Sequence, residues 1–419
     1  MEVSGHIWPG LLEMTMNVNV TDFSARDPMR PVLHPAARPV SRAASRVETF
    51  IGQNRFDRPT LVLDINQVEG QYHALKAGLG RAHIHYAVKA NPQREIIERL
   101  VGLGSGFDAA SRAEIELCLS LGAHPGLISF GNTVKKPRDI EFAWTAGITL
   151  FAADAEEELQ KIATHAPGAD VYIRLIVDAS QADWPLSRKF GVSRDHAIRL
   201  MDQAVALGLR PVGLSFHVGS QTRRADMWTT TLDQVAAVWA EARAAGHDLT
   251  LLNIGGGFPA FYGEAIDGPT PYAARVMALI HDRFGDVPRI MAEPGRGLVA
   301  EAGAIAAEVL LVSRKSDNDL HRWVYLDIGK FSGLAETMDE AIRYQFLTDR
   351  DHEATGPCVL AGPSCDSADV LYEKRPVELP LGLRCGDRVV IRNSGAYTST
   401  YASIGFNGFP PLDIVVLQD

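Results

Sequence analysis

A single lysine, Lys89, stands where an apolar segment ends, in the stretch HIHYAVKANP at residues 83 to 92. Residues 83 to 88 predict a short buried β-strand, because they are apolar, aromatic or β-branched and precede a turn-forming Asn-Pro pair. A lysine at such a strand end is most often a solvated charge. The chemical alternative is an amine at the mouth of a barrel, where desolvation lowers its pKa and lets it condense with an aldehyde.

Polar residues of other reactive types follow apolar segments downstream. The stretch NIGGGFP at 253 to 259 carries consecutive glycines, whose missing Cβ atoms let backbone N–H groups close around a phosphate. Gly295 and Arg296 in MAEPGRGLV add a second turn and a guanidinium suited to the same phosphate, and Ser220 offers a hydroxyl. The glycines do not form a GxGxxG dinucleotide fingerprint.

Short apolar segments alternate with amphipathic stretches along the first two thirds of the chain. Eight strands are predicted at residues 83–88, 106–110, 127–131, 148–153, 171–175, 212–218, 249–255 and 289–293. Segments such as RDHAIRLMDQAVALG place apolar residues at helical spacing. The alternation predicts an α/β fold, a (β/α)8 TIM-type barrel, whose chemistry gathers at the carboxyl ends of the strands.

The pattern changes after residue 300. Segments such as DRVVIRNSG are rich in β-branched residues and predict a β-rich domain, a sandwich or barrel, over residues 301–419. Residues 49–64, with the sequence TLVLD, are expected to add a strand to that domain, and residues 65–300 to form the barrel. Residues 1–48 are rich in Arg, Pro, Ala and Ser and predict a flexible arm.

Composition limits the function classes. The 419 residues are 46% hydrophobic and carry a formal net charge of −10, which does not favour nucleic acid or an anionic membrane as a partner. No run of about 18 apolar residues predicts a transmembrane helix. The first residues lack the features of an export signal, and the four cysteines lack metal-site spacing or disulfide density. We therefore expect a cytoplasmic protein without a metal.

Several ordered motifs carry a resemblance to a known family. AVKAN, FDAAS, FHVGSQ, NIGGGFP, AEPGR, GPSCDSADVL and GAYT together resemble the group IV, alanine racemase-like barrel decarboxylases that depend on pyridoxal 5′-phosphate (PLP). The resemblance is to the ornithine/lysine/diaminopimelate type and runs from about residue 50 to the C-terminus. It implies a PLP-binding barrel, a β-rich second domain and a homodimer with shared active sites.

The resemblance also implies roles for individual residues. Lys89 would form the Schiff base with PLP, and His217 would lie against the ring. Cofactor-binding residues implied in this way are Lys89, Asp108, Arg174, His217, Ser220, Gly255, Gly256, Gly257, Glu293, Gly295, Arg296 and Tyr397. Glu293 would keep the pyridine nitrogen protonated, so that the ring accepts electrons when a Cα bond breaks. Alanine racemases have an arginine there, so glutamate favours decarboxylation; a mere ion pair with Arg296 is the alternative.

The loop GPSCDSAD at residues 362 to 369 would complete the site. By themselves Cys365 and Asp366 could be a small buried residue and a turn-stabilising side chain. The resemblance implies that they reach the partner subunit's site, where Cys365 reprotonates Cα and Asp366 binds the substrate's distal group. An aspartate suits a terminal ammonium, which favours a basic amino acid: L-ornithine, giving putrescine, or L-lysine, giving cadaverine, or both.

Other functions remain open at this point. meso-Diaminopimelate or carboxynorspermidine decarboxylation would keep the chemistry, and a catalytically silent regulatory protein would keep only the fold. One methylene is worth only about 1 to 3 kcal/mol of discrimination, so ornithine and lysine are not separated. Any of Glu336, Asp339 and Glu340 could approach the distal amine. The stretch WPLSRKFG at 184 to 191, with Lys189, resembles a mobile loop that closes the site.

Overall fold

The computed structural model describes residues 44–178 and 189–418. Residues 1–43 of the expected arm, and most of the loop expected to close the site, lie outside the described residues. Helix α1 (Arg46–Gln53) begins within the stretch assigned to the arm, because Ser45 and Glu48 form a capping box at its start. Of residues 49–64, only Thr60–Asp64 forms a strand, β1.

Eight parallel strands close into a barrel. They are β2 (His83–Ala87), β3 (Gly106–Ala109), β4 (Ile128–Phe130), β5 (Leu150–Ala153), β6 (Asp170–Arg174), β7 (Arg210–Ser215), β8 (Leu251–Asn253) and β9 (Arg289–Ala292). The ring is closed between β2 and β9, where His83 lies opposite Met291. The predicted α/β fold with a TIM-type barrel is confirmed, since each predicted strand overlaps an observed one.

Helices follow the strands around the barrel. They are α2 (Ile65–Leu79), α3 (Arg94–Gly102), α4 (Arg112–Ser120), α5 (Pro137–Thr145), α6 (Glu156–His165), α7 (Arg194–Ala206), α8 (Thr229–Ala244), α9 (Pro269–Phe284) and the short α10 (Arg296–Val299). Helix α3 shows why they dock: Ile96, Ile97 and Leu100 lie on one face and are fully buried. Burial of each such side chain stabilises the fold by roughly 1.5 to 3 kcal/mol.

The barrel interior is filled by an apolar layer. Leu150, Ala152, Tyr172, Leu251 and Met291 form one buried cluster. They alternate along their strands with residues of the main core beneath the helices, so they point inward. We call this cluster the barrel floor. Polar strand ends therefore stand above a packed layer and not above an open channel.

Nine strands of the described chain form the sheet of the second domain. Besides β1 they are β10 (Gly303–Ser313), β11 (Arg322–Leu326), β12 (Phe346–Thr348), β13 (Thr355–Ala361), β14 (Val370–Leu371), β15 (Val377–Pro380), β16 (Arg388–Ile391) and β17 (Asp413–Leu417). β1 lies antiparallel to β10 and parallel to β17, so a strand that precedes the barrel in sequence completes this sheet. None of the described helices is long and apolar enough to cross a membrane.

Candidate active site

A cavity of about 560 Å³ opens at the carboxyl ends of the barrel strands. This volume lies in the range of small-molecule sites. All the residues expected to bind the cofactor line it except Gly255: Lys89, Asp108, Arg174, His217, Ser220, Gly256, Gly257, Glu293, Gly295, Arg296 and Tyr397. Gly255 is buried beside its neighbour Gly256. Parallel strands bring their carboxyl ends together at one mouth, which gathers residues from distant parts of the sequence.

Lys89 projects into this cavity from a short turn that follows β2. Its Nζ lies 3.4 Å from Oδ2 of the buried Asp108. Burial lowers the pKa of Lys89, but the nearby Asp108, Tyr397 and Glu293 outweigh it, and the net shift of that pKa is upward. The expectation that desolvation lowers this pKa is therefore wrong. Asp108, the charge with the largest effect, therefore favours the protonated form of the amine.

His217 follows β7 and presents a neutral ring. Its Nδ1 accepts a hydrogen bond from the backbone N–H of Gly219 at 3.0 Å. Burial, with the positive charges of Arg174 and Lys89, lowers the pKa of His217 to about 3. The ring therefore carries its one proton on Nε2. An uncharged flat face of this kind suits stacking against another aromatic ring, worth on the order of 1 kcal/mol.

Glu293 follows β9 and is held by an amide. Its Oε1 accepts a hydrogen bond from Nδ2 of Asn253 at 2.5 Å. Burial and the charge of Asp108 raise the pKa of Glu293 to about 8, although Lys89, Asn253 and Arg174 act in the opposite direction. The carboxyl can therefore give or take a proton near neutral pH.

Asn253 was not among the predicted site residues. Its Oδ1 accepts from the N–H of Gly255 at 2.9 Å, so one side chain fixes both Glu293 and the glycine turn. Its position at the end of β8, directly before the glycines, is the sequence signal that could have found it.

The glycine turn is required by its backbone and by its neighbours. Gly255 and Gly257 have φ angles of +65° and +94°, in the region that side chains disfavour. A Cβ on Gly256 would lie 2.8 Å from the carbonyl oxygen of Glu293 and 3.1 Å from Nε2 of His217. The backbone can approach a ligand closely only because these Cβ atoms are missing.

Arg296 pairs with Glu336, so the alternative of an ion pair between Arg296 and Glu293 is wrong. The guanidinium donates two hydrogen bonds to the Glu336 carboxylate, at 2.7 and 2.6 Å. It also donates to Oγ of Ser220 at 3.3 and 3.2 Å and to the hydroxyl of Tyr262 at 3.0 Å. Both charged partners are nearly inaccessible, 4% and 5% exposed. Burial opposes the charge of Arg296, but Glu336 raises its pKa well above the ordinary value.

The structure separates three acidic residues that the sequence left equivalent. Glu336 lines the cavity. Glu340 accepts hydrogen bonds from Arg343 and Arg375 instead. Asp339 is 88% exposed and lies 3.9 Å from Lys374. Among the three, Glu336 alone belongs to the site.

Cys365 and Asp366 do not line the cavity of their own chain. Both are exposed, although the loop that carries them is firmly held. The buried Asp369 accepts hydrogen bonds from the hydroxyl of Ser364 at 2.7 Å and the backbone N–H of Lys330 at 2.7 Å. The loop is thus fixed, and its two reactive side chains stay accessible.

The comparison with known proteins decides the family. Residues 65–300 match the model of the pyridoxal-binding domain of pyridoxal-dependent decarboxylases. The chain belongs to this family. A lysine/ornithine decarboxylase of Selenomonas ruminantium is 33% identical over 365 residues, 87% of this chain and 91% of the relative. The ornithine decarboxylase of Schizosaccharomyces pombe is 31% identical over 430 residues, 100% and 95% of the two chains.

A solved structure shows the same fold. The lysine/ornithine decarboxylase of Vibrio vulnificus, in complex with cadaverine, superposes with a TM-score of 0.79 at 31% identity. The match covers 90% of this chain and 100% of that chain.

As a pyridoxal-dependent decarboxylase, the protein takes PLP as its cofactor. The cavity fits such a group. Lys89 is an accessible amine, His217 a neutral flat ring and Glu293 a carboxyl that can share a proton with a ring nitrogen. A cradle for a phosphate is left at Gly295, where a Cβ would lie 3.1 Å from the hydroxyl of Tyr397.

Proposed function

We propose that the protein is a PLP-dependent carboxy-lyase that decarboxylates a basic L-amino acid in the cytoplasm. The substrates are L-ornithine, giving putrescine, L-lysine, giving cadaverine, or both, as in polyamine biosynthesis. One observation carries the proposal. The mouth of a pyridoxal-binding barrel places Lys89 at 3.4 Å from Asp108, with the buried Glu293 lining the same cavity. The relatives named above act on, or are bound to, these amino acids or their diamines.

The surroundings of Glu293, His217 and Lys89 support a separate role for each in the proposed reaction. PLP supplies an electron sink for the pair of electrons that departing carbon dioxide leaves on Cα. Glu293, which Asn253 orients through a hydrogen bond of 2.5 Å, would share a proton with the ring nitrogen. His217 orients the ring by stacking, because burial keeps its imidazole neutral. Lys89 would bind the cofactor covalently and move protons at Nζ, with Asp108 fixing the amine.

The residues around the glycine turn would hold the phosphate. Ser220 accepts two hydrogen bonds from Arg296, so its own O–H is free to point at a phosphate oxygen. Arg296 contributes its charge from a position that Glu336 fixes. Tyr397, whose ring lies 5.1 Å from the guanidinium, closes the same side.

We also propose a homodimer in which each cavity is completed by Cys365 and Asp366 of the partner. The support is that both are exposed on a fixed loop outside their own cavity. Two large side chains that are close in sequence are also exposed: Ile404 is 89% exposed, and Tyr401, which lines the cavity, is 47% exposed. They leave apolar surface that a second copy of the chain could cover. Cys365 would deliver a proton to Cα, and Asp366 would bind the distal ammonium.

The test of function is carbon dioxide release by the PLP-loaded protein. L-Ornithine, L-lysine, L-arginine and meso-diaminopimelate are offered in parallel, and we expect release from ornithine, lysine or both. Preference for diaminopimelate would keep the reaction and overturn the substrate. Release from none of them, by protein that has bound PLP, would favour the silent regulatory alternative.

Asp366→Ala is expected to lower kcat/KM for the diamino acids, because a buried substrate ammonium loses its counter-charge. The loss corresponds to roughly 2 to 5 kcal/mol of transition-state binding free energy. The loss should be much smaller for norleucine, which has no distal charge. Ser367→Ala changes the neighbouring side chain of the same loop and serves as the control. An equal loss for lysine and norleucine would contradict a role for Asp366 at the distal group.

Mixed subunits test the shared site. Lys89→Ala and Cys365→Ala subunits, each inactive alone, should recover about a quarter of the wild-type activity after random exchange, because half of the dimers then hold one intact site. Mass spectrometry of the native complexes confirms that heterodimers have formed. Heterodimers without recovered activity would show that Lys89 and Cys365 do not act across an interface.

A further inference from the structure

Tyr172, on β6, has one buried polar atom that the proposed function does not use. Its ring belongs to the barrel floor, packed with Leu150, Ala152, Leu251 and Met291. The residue is 2% exposed and also lines the cavity above the floor. Its hydroxyl has no hydrogen-bond partner of good geometry. An unsatisfied buried hydroxyl destabilises the folded state, so this position calls for a hydrogen-bond partner.

A second buried atom without a hydrogen-bond partner, Oδ1 of Asp108, lies on the same side of the cavity. Both atoms converge on Gly131, which follows β4. A Cβ at Gly131 would lie 1.8 Å from Oδ1 of Asp108 and 3.3 Å from the hydroxyl of Tyr172. Glycine at 131 therefore leaves the space that the two oxygens share. The other carboxylate oxygen of Asp108, Oδ2, faces Lys89 at 3.4 Å.

The hydroxyl can act only as a donor towards this carboxylate. Burial, then the charges of Glu293 and Asp108, raise the pKa of Tyr172 well above its ordinary value, and the contact with the Ser129 hydroxyl and the charge of Arg174 do not reverse that shift. The phenol therefore keeps its proton. A carboxylate oxygen can only accept a hydrogen bond, so the unsatisfied Tyr172 donor and the unsatisfied Asp108 acceptor are complementary.

We propose that Tyr172 is a positioning residue whose hydroxyl is linked to Oδ1 of Asp108 through one bridging water, which keeps Oδ2 turned towards Lys89. The inference rests on the proposed function in that Lys89 is the residue that bonds the cofactor aldehyde. Tyr172 acts at the aldehyde end of the site. Ser220 and Arg296, which would hold the phosphate, are fixed by other contacts.

Tyr172→Phe removes the hydroxyl and keeps the ring on the floor. Full-length protein is freed of cofactor and titrated with PLP and with pyridoxine 5′-phosphate, which has an alcohol in place of the aldehyde. We expect the Kd for PLP to rise about tenfold, the consequence of one unsatisfied buried acceptor. The Kd for pyridoxine 5′-phosphate should change by less than about twofold.

Three further variants isolate the contact. In an Asp108→Ala background, Tyr172→Phe should weaken PLP binding by less than about twofold, because the acceptor is already gone. Ser129→Ala, which tests whether the hydroxyl serves only that serine, should leave both Kd values unchanged. Tyr72→Phe removes a tyrosine hydroxyl on α2, outside the cavity lining, and should also leave both unchanged.

An equal rise in the Kd values of both ligands would mean that Tyr172→Phe disturbs the whole site, and it would overturn the proposal. An unchanged Kd for PLP would overturn it as well. So would a loss of PLP affinity in the Asp108→Ala background as large as that in the wild type. If Tyr172→Phe does not fold, Tyr172→Met fills a similar volume without the hydroxyl and takes the same test. The proposed decarboxylation can fail separately, because wild-type protein that binds PLP and releases no carbon dioxide still allows every one of these titrations.

Discussion

Lys89→Ala is expected to abolish covalent attachment of PLP. Lys89 is the amine that reaches the cavity from the end of β2, and Asp108 fixes its Nζ at 3.4 Å. Loss of this amine removes both the bond to the cofactor and a positioned acid–base group, so kcat/KM should fall by at least about a hundredfold. Borohydride reduction followed by peptide mass spectrometry measures the attachment, and carbon dioxide release measures the rate.

Lys189→Ala is the matched control, because Lys189 is the other lysine in the described lining of the cavity. Its Nζ lies 4.9 Å from the ring of Phe190, and the variant should keep PLP bound at Lys89. PLP fixed by borohydride to any lysine of the Lys89→Ala protein would refute the assignment.

Glu336→Ala is expected to destabilise the protein by about 3 to 5 kcal/mol, since it leaves the guanidinium of Arg296 buried without its counter-charge. The pair is joined by two hydrogen bonds and is 4% and 5% exposed, so water does not replace the lost carboxylate. Chemical denaturation of the cofactor-free protein gives the free energy of unfolding. PLP should stabilise the variant more than the wild type, because a phosphate returns a negative charge to Arg296.

The surface pair Arg112–Glu116, with side chains 45% and 48% exposed, provides the comparison. Glu116→Ala should cost less than about 1 kcal/mol, because solvent screens that pair. Replacing both buried partners, as Arg296→Met with Glu336→Leu, should recover most of the stability and still weaken PLP binding. Equal destabilisation by Glu336→Ala and Glu116→Ala would show that the buried pair contributes no more to the free energy of unfolding than the exposed pair does.

The sequence by itself determined the barrel and the identity of most residues around its mouth. A strand is signalled by local features, an apolar run and a following turn, and parallel strands all end at the same side of a barrel. Knowing that Lys89, His217 and Glu293 follow such runs was therefore enough to place them in one cavity. The start of α1 was harder to predict from the sequence, because the capping box of Ser45 and Glu48 begins a helix inside an Arg- and Pro-rich stretch.

Only the tertiary structure decided which side chains pair. Arg296 is three residues from Glu293 and 40 from Glu336, yet it bonds the latter, because the second domain brings Glu336 against the barrel mouth. The same holds for charge: the pKa of Lys89 depends on Asp108, Tyr397 and Glu293, which the fold gathers around it from distant segments. Tyr172 carries no signal of its own in the sequence, since only the fold shows that its buried hydroxyl lacks a hydrogen-bond partner and lies near Gly131, as Oδ1 of Asp108 does. Periodicity is set by neighbours in the chain, whereas pairing, burial and charge are set by distances in space.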